Sequence, residues 1–412
     1  MEFLKIERLW KVEYICCEIF GALLLCQTPC ETIADSLISY IEEMIVTDEI
    51  EESRHVISVF HSIIKEEYFS SMPAATVKRL LTLYHLSVGI NESDFYLVRM
   101  GFEGVLIKIL KVLSENEAAK ILSVYMSLTF DGGLKKFELK DFGLTICHGV
   151  SRIRLPLKNE TFFSESFKFL IQTMMAEPCE VKSFLATRFL TLLIDRFNNF
   201  DFFSTPMIFH EVTNYGKIKV ALSEEKDAID TLEVYRDIIE IAVIQQIKFH
   251  CSRRDNLCGI YALLCTLIVT FPSGFTITLV AGILMKVQNK TESQDSNQTN
   301  MNHLHAIIAS IMTLISWVTK ATSLSKYVHN IVNLRYDSAP HMNPPLIGEN
   351  KVQHIKRELF FEPWELRYCF WKYFRLDEDT LPLSLSRKFK KSQTAKRRQT
   401  LSYNFIERNN EL

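Results

Sequence analysis

Apolar residues recur at helical spacing along most of this chain. Leu185, Phe189, Leu192 and Leu193 fall at i, i+4, i+7 and i+8, which predicts one apolar stripe along a helix. Pro178 would sit just inside the start of that helix, where its missing N–H costs nothing. Ser114-Glu115-Asn116-Glu117 reads as a capping box ahead of Ala118 to Leu128, and Pro73 opens Ala74 to Leu83. Strand-like alternation is rare, and Phe202 to Val220 is the least helical stretch. Helices spaced by about 15–20 residues with short breaks predict an all-α, HEAT/armadillo-like α-solenoid, right-handed, over residues 1–376. No fixed-period repeat is visible, and a globular helical bundle would use the same elements.

The stretch from Leu257 to Lys320 poses a sharper question. It opens with an uncharged run, Leu257 to Met285, that hydropathy alone would place in a membrane. Pro272-Ser273-Gly274 interrupts that run, and each piece falls short of the roughly 20 residues a bilayer requires. The pattern predicts a buried, antiparallel helix pair over 257–285, with Cys258 and Cys265 on one face as packing residues. The Asn-, Gln-, Ser- and Thr-rich segment 288–302 is expected to be a solvated loop. Residues 377–412 carry no core pattern and are expected to be a disordered, basic tail.

Composition adds limits. A net charge of −2 gives no global attraction to nucleic acid or anionic lipid, so any such role must come from a local patch. Thirteen glycines and eleven prolines are too few for a turn-rich β-protein. Ten scattered cysteines do not make a disulfide framework in a chain this long, and the first ten residues hold no apolar signal region. The chain therefore reads as intracellular. The sequons at Asn91, Asn159, Asn289 and Asn297 then read as chance matches.

Catalytic signatures are missing. There is no G-x-S-x-G elbow, Walker A loop or Rossmann glycine fingerprint. His303 and His305 lie two apart, on different sides of a helix. Cys26 and Cys30, four apart on a predicted helix, lack a second pair to complete a tetrahedral metal site. Glu42-Glu43 and Glu51-Glu52 read as solvated faces. The expectation is a non-enzyme without cofactor or metal.

Two local features could carry function. Adjacent Cys16 and Cys17 near the N-terminus could be acylated, and two lipid chains anchor where one is marginal; the plainer reading buries them in the first helix. The tail holds Arg387, Lys388, Lys390 and Lys391, then Lys396, Arg397 and Arg398. Such clusters bind anionic headgroups, nucleic acid or an import receptor. Thr400, two and three residues after arginines, suits a basophilic kinase, and Ser402 is a second candidate; a phosphate there would weaken an electrostatic contact.

Residues 181–346 resemble the C-terminal helical half of the rolling blackout family. The landmarks are Leu193-Ile194-Asp195-Arg196-Phe197-Asn198-Asn199, then Gly216-Lys217-Ile218-Lys219 ahead of a helix over 230–249 that ends at Arg253-Arg254-Asp255-Asn256. The apolar pair follows in the same order, and Tyr327, Val328, Ile331, Val332, Arg335, Ala339 and Pro340 match a family helix end. The resemblance implies a helical-repeat scaffold, peripheral at the plasma membrane. It would recruit phosphatidylinositol 4-kinase type III alpha with a tetratricopeptide-repeat partner and a hyccin-like protein, and no nucleic acid. In the family the membrane anchor is a cysteine cluster at the start of a longer N-terminal half. Cys16-Cys17 stands in a different context, so the chain is expected to be a fragment, short isoform or divergent member. The tail would correspond loosely to the region through which the family contacts the repeat partner. Two rivals are a nuclear adaptor imported through the tail and, less favoured without its nucleophile elbow, a lipase.

Overall fold

The computed structural model describes residues 9–90, 95–153, 160–175, 179–210, 216–221, 232–293, 298–346 and 356–376, and every regular element among them is helical. The helices group into two compact units, Met1–Leu155 and Pro156–Leu412.

In the first unit the helices are α1 (Glu13–Leu25), α2 (Cys30–Val46), α3 (Ile50–Ile63), the single turn α4 (Glu66–Phe69), α5 (Ala74–Val88), α6 (Tyr96–Val112), α7 (Glu115–Lys120), α8 (Leu122–Phe130) and α9 (Lys136–Val150). Close packing runs from α3 to α6 to α9, so every third helix stacks, and α2 packs against α3 as well. Their first residues, 50, 96 and 136, are 46 and 40 apart, within the HEAT/armadillo period of about 40–47 residues. Gly101 permits the α3–α6 approach: a Cβ there would lie 2.5 Å from Ile57 Cγ2. Pro73 precedes α5 as its cap residue, and Ser114 caps α7 by accepting from the Glu117 N–H at 3.4 Å. The helix expected from Ala118 to Leu128 is broken at Ile121 into α7 and α8. Glu42 pairs with Arg79, Glu51 lies 3.0 Å from Arg54, and Glu52 accepts from the Tyr40 hydroxyl at 2.8 Å. Partly exposed pairs of this kind contribute little.

The second unit holds α10 (Glu160–Met174), α11 (Glu180–Ile194), α12 (Arg236–His250), α13 (Arg254–Thr270), α14 (Gly274–Ser293), α15 (Gln298–Thr319), α16 (Thr322–Ser338) and α17 (Pro363–Leu376). Helix α11 is buried nearly all round, because α10 covers one side and α13 another. The predicted stripe is therefore too narrow: Thr187 and Thr191 are buried as well. Inside, Gln246 Nε2 donates to Thr187 Oγ1 at 2.8 Å, and Thr187 Oγ1 donates to Ser183 O at 2.8 Å, a fully enclosed link between α11 and α12. Pro178 lies outside the described residues.

The uncharged run supplies the centre of this unit. Helix α13 is buried from Asn256 to Thr270 except for part of its first turns, and Ser273 caps α14 by accepting from the Thr276 N–H at 3.1 Å. Among the described residues one helix, Met301–Thr319, is long and apolar enough to cross a bilayer, yet 83% of it is buried within the protein. Its hydrophobicity is thus accounted for by packing.

The segment 288–302 departs from its expected loop. Helix α14 continues to Ser293 and α15 resumes at Gln298. Gln288 and Asn302 are buried, and Gln288 is held by a two-way hydrogen bond to the Phe361 backbone. Among the described side chains here Gln288 is an interior amide, whereas Asn289 and Lys290 are exposed.

The irregular stretch after α11 is built by its polar side chains. Asp195 accepts from the N–H groups of Phe197 (3.1 Å) and Phe200 (2.7 Å), turning the chain off the helix. Asn199 pairs with the Lys219 backbone in both directions, at 2.8 and 3.0 Å. Extended residues 207–209 are pinned to α15 by Ser310 Oγ, which donates to Met207 O at 2.6 Å, and by Thr313 Oγ1, which accepts from Phe209 N at 3.1 Å. Asp195→Ala leaves two part-buried N–H groups unpaired and should cost about 2 kcal/mol in chemical denaturation. A loss below about 0.5 kcal/mol would show that water replaces the carboxylate.

Candidate functional site

The C-terminal end of the second unit is organised around one buried cation. Arg335, on α16, is fully enclosed. Its Nε donates to Leu359 O at 2.7 Å, and its Nη1 donates to His305 O at 3.1 Å and Met342 O at 3.3 Å. The guanidinium also lies 5.0 Å from the Phe361 ring centroid, a cation–π contact. Burial pushes its pKa down to about 9, so it remains a cation at neutral pH, solvated by carbonyl dipoles.

The residues around it explain why the chain turns here. Ala339-Pro340 ends α16 and starts a 3-10 turn, Pro340–Met342, and Asn343 Nδ2 donates back to Val332 O at 2.8 Å. That return brings Met342 O to the guanidinium. After it, the strap 356–362 crosses the same face. Leu359 and Phe360 pack with Ala339 and Met342, and the Phe361 backbone pairs with Gln288. Glu362 N donates to the Tyr327 hydroxyl at 2.8 Å. Two helices, α14 through Gln288 and α16 through Tyr327 and Arg335, therefore hold the strap before Pro363 opens α17.

Helix α17 packs on α16 through Leu366, Cys369, Phe370 and Tyr373. At 100° per residue these four point one way, and Trp364, Tyr368 and Trp371, spaced i, i+4 and i+7, point the other. The three rings are 62%, 53% and 44% exposed, and Tyr368 stacks on Trp371 at 6.2 Å. Arg367 and Lys372 flank this stripe on opposite sides, with Glu365 beside Lys372. The result is a rigidly mounted aromatic ridge with charged flanks.

The other candidate residues lie elsewhere. Cys16 is fully buried and its thiol donates to Leu9 O at 3.3 Å; burial pushes its pKa up. Cys17 is half-buried and its thiol is likewise raised, first by burial. Acylation at both positions would require Cys16 to leave its buried position and its hydrogen bond to Leu9 O. Cys26 and Cys30 sit on either side of the turn between α1 and α2 rather than on one helix, because α1 ends at Leu25. Among the described residues no group of three or more His, Cys, Asp or Glu could hold a metal ion. The tail residues Arg387, Lys388, Lys390, Lys391, Lys396, Arg397, Arg398, Thr400 and Ser402 lie outside the described residues.

The landmarks behind the family resemblance, Asp195, Asn199, Lys219, Arg335 and Ala339-Pro340, thus make the turns and the buried node. A family model described as EFR3, armadillo repeat, matches residues 146–381. The chain belongs to this EFR3 family. The match covers more than half of the chain, includes the Arg335 node and all of α17, and is the same family to which the residue landmarks pointed. It also makes the fold class, an all-α armadillo-type array, the family's own. Mouse "Protein EFR3 homolog B" is 23% identical over 185 residues, which is 42% of this chain and 21% of the relative. The chain therefore aligns with about a fifth of that EFR3 relative's length. No solved structure matches.

Proposed function

We propose that this chain is a non-enzymatic scaffold at the inner face of the plasma membrane that helps position a phosphatidylinositol 4-kinase type III alpha complex. Membership of the EFR3 armadillo-repeat family over residues 146–381 carries this reading. Stacked helical repeats support it physically, since they offer extended, rigid surfaces whose chemistry is recognition. The partners would be kinase-complex subunits, a tetratricopeptide-repeat protein and a hyccin-like protein. Support for phosphatidylinositol 4-phosphate synthesis would be indirect, through placement of the kinase.

Tagged full chain expressed in cells should co-purify with the kinase and its repeat partner and should enrich in plasma-membrane fractions. An evenly cytosolic protein bringing down neither one overturns the proposal. So does a nuclear protein that loses its nuclear signal when Lys396, Arg397 and Arg398 are changed to alanine, because that identifies an imported adaptor.

A further inference from the structure

We propose that the Trp364–Tyr368–Trp371 ridge of α17 is a self-pairing surface: a second copy of this chain docks on it through its own α17, antiparallel and about a two-fold axis. The pairing is a property of this helix. It goes beyond the scaffold reading above and does not rest on it.

Spacing comes first. Trp364, Tyr368 and Trp371 are separated by four and three residues, the interval at which knobs on one helix fit holes on another. Tryptophan and tyrosine also dominate protein–protein contacts, because each ring removes a large area from water with only two side-chain torsions to fix. The face is ordered beforehand. The strap held by Arg335, Gln288 and Tyr327 mounts α17, so no helix has to form on contact.

Charge selects the occupant. Glu365 and Lys372, seven residues apart, lie along one flank of the ridge, and Arg367 lies along the other. Glu362 precedes the helix, and Asp377-Glu378-Asp379 follow it in the sequence. An anionic partner would meet these acids, and a basic one would meet Arg367 and Lys372. A flank with acid first and base second fits its own inverse. Take the antiparallel register that sets Tyr368 against Trp371 of the second copy. Glu365 then comes within about 3 Å, measured along the axis, of the copy's Lys372, and symmetry repeats both contacts. A parallel pairing would instead set Arg367 against the copy's Lys372, like charge against like, twice. The pattern thus fixes orientation as well as partner.

Area sets the strength. The exposed parts of the three rings amount to roughly 300 Å² per copy. Two copies together stay below the ~1,200 Å² at the lower end of stable, specific interfaces, so the dimer should be reversible, half-formed at roughly 10–100 μM.

Sedimentation equilibrium of the purified full chain, from about 2 to 200 μM, gives the mass directly. The native mass should climb from monomer toward dimer. W364A/W371A should associate at least about tenfold more weakly. E365K and K372E should each weaken association about tenfold, since each sets like charges together twice. Mixed in equal amounts, those two variants should associate to within about threefold of the native chain, because each supplies the sign the other lacks. The double swap E365K/K372E should recover self-association for the same reason. All of these side chains stand on the outer face, so every variant should unfold within a few degrees of the native chain.

A native chain that stays monomeric over this range overturns the proposal; if that monomer binds anionic vesicles and W364A/W371A does not, the occupant is lipid. Dimerisation untouched by W364A/W371A places the interface elsewhere and overturns it too. So does a mixture of E365K and K372E that stays monomeric, because antiparallel self-pairing requires the rescue. Kinase co-purification reads none of these masses, so either reading can fail without the other.

Discussion

Arg335→Ala is expected to cost the second unit about 3–5 kcal/mol and to release α17. The substitution removes donors from three buried carbonyls, those of Leu359, His305 and Met342, and opens a cavity beside Phe361. Each unpaired carbonyl carries a desolvation penalty of about 1–3 kcal/mol. Arg335→Met should recover part of the loss, since it restores volume and removes a desolvated charge but leaves the carbonyls unpaired. Arg335→Lys should also fall short, because an ammonium cannot span the fork that joins Leu359 O to His305 O. Chemical denaturation gives the ranking, and hydrogen exchange over 356–376 gives the location. The node idea fails if exchange there is unchanged, or if alanine lowers stability by less than about 0.5 kcal/mol.

The order of landmarks was legible in the sequence because turn-making residues are short-range. Asp195 acts on residues two and five positions later, and Ala339-Pro340 ends its own helix. The role of Arg335 was not legible: its partners lie 7, 24 and 30 residues away, and nothing local distinguishes a buried arginine from a surface one. The repeat period was hidden for a related reason. Stacking needs only that α3, α6 and α9 bury apolar faces, and many unrelated sequences meet that condition, so the 46- and 40-residue intervals leave no self-similarity. Helix existence was readable from periodicity, but extent was not. The run 288–302 looked like a loop by composition, although Gln288 is an interior amide whose partner, Phe361, is 73 residues on. The aromatic ridge could have been found. Its i, i+4, i+7 spacing stands in the sequence, but whether that side or the Leu366–Phe370 side faces the core is a tertiary fact.

Acidification should destabilise the second unit through His305. This side chain lies inside α15, against Phe360 at 5.1 Å, and burial pushes its pKa down to about 3, with the positive charges of Arg335 and His341 adding to the effect. Unfolded, it titrates near 6.5. Between those values the unfolded chain binds more protons than the folded one, so stability falls as pH falls. The loss begins near pH 6.5 and approaches about 4–5 kcal/mol by pH 3. Below about pH 4.5 carboxylates contribute too, so the diagnostic window is 6.5 to 4.5, where the slope should approach about 1.4 kcal/mol per pH unit. His341, on the neighbouring turn, is also lowered by burial and adds in the same direction. His305→Gln keeps a neutral polar side chain at the position and should flatten most of that slope, whereas His341→Gln should remove a smaller part. Denaturation across this window, read by hydrogen exchange within α15, separates the contributions; a native slope retained in His305→Gln would move the acid sensitivity to another group.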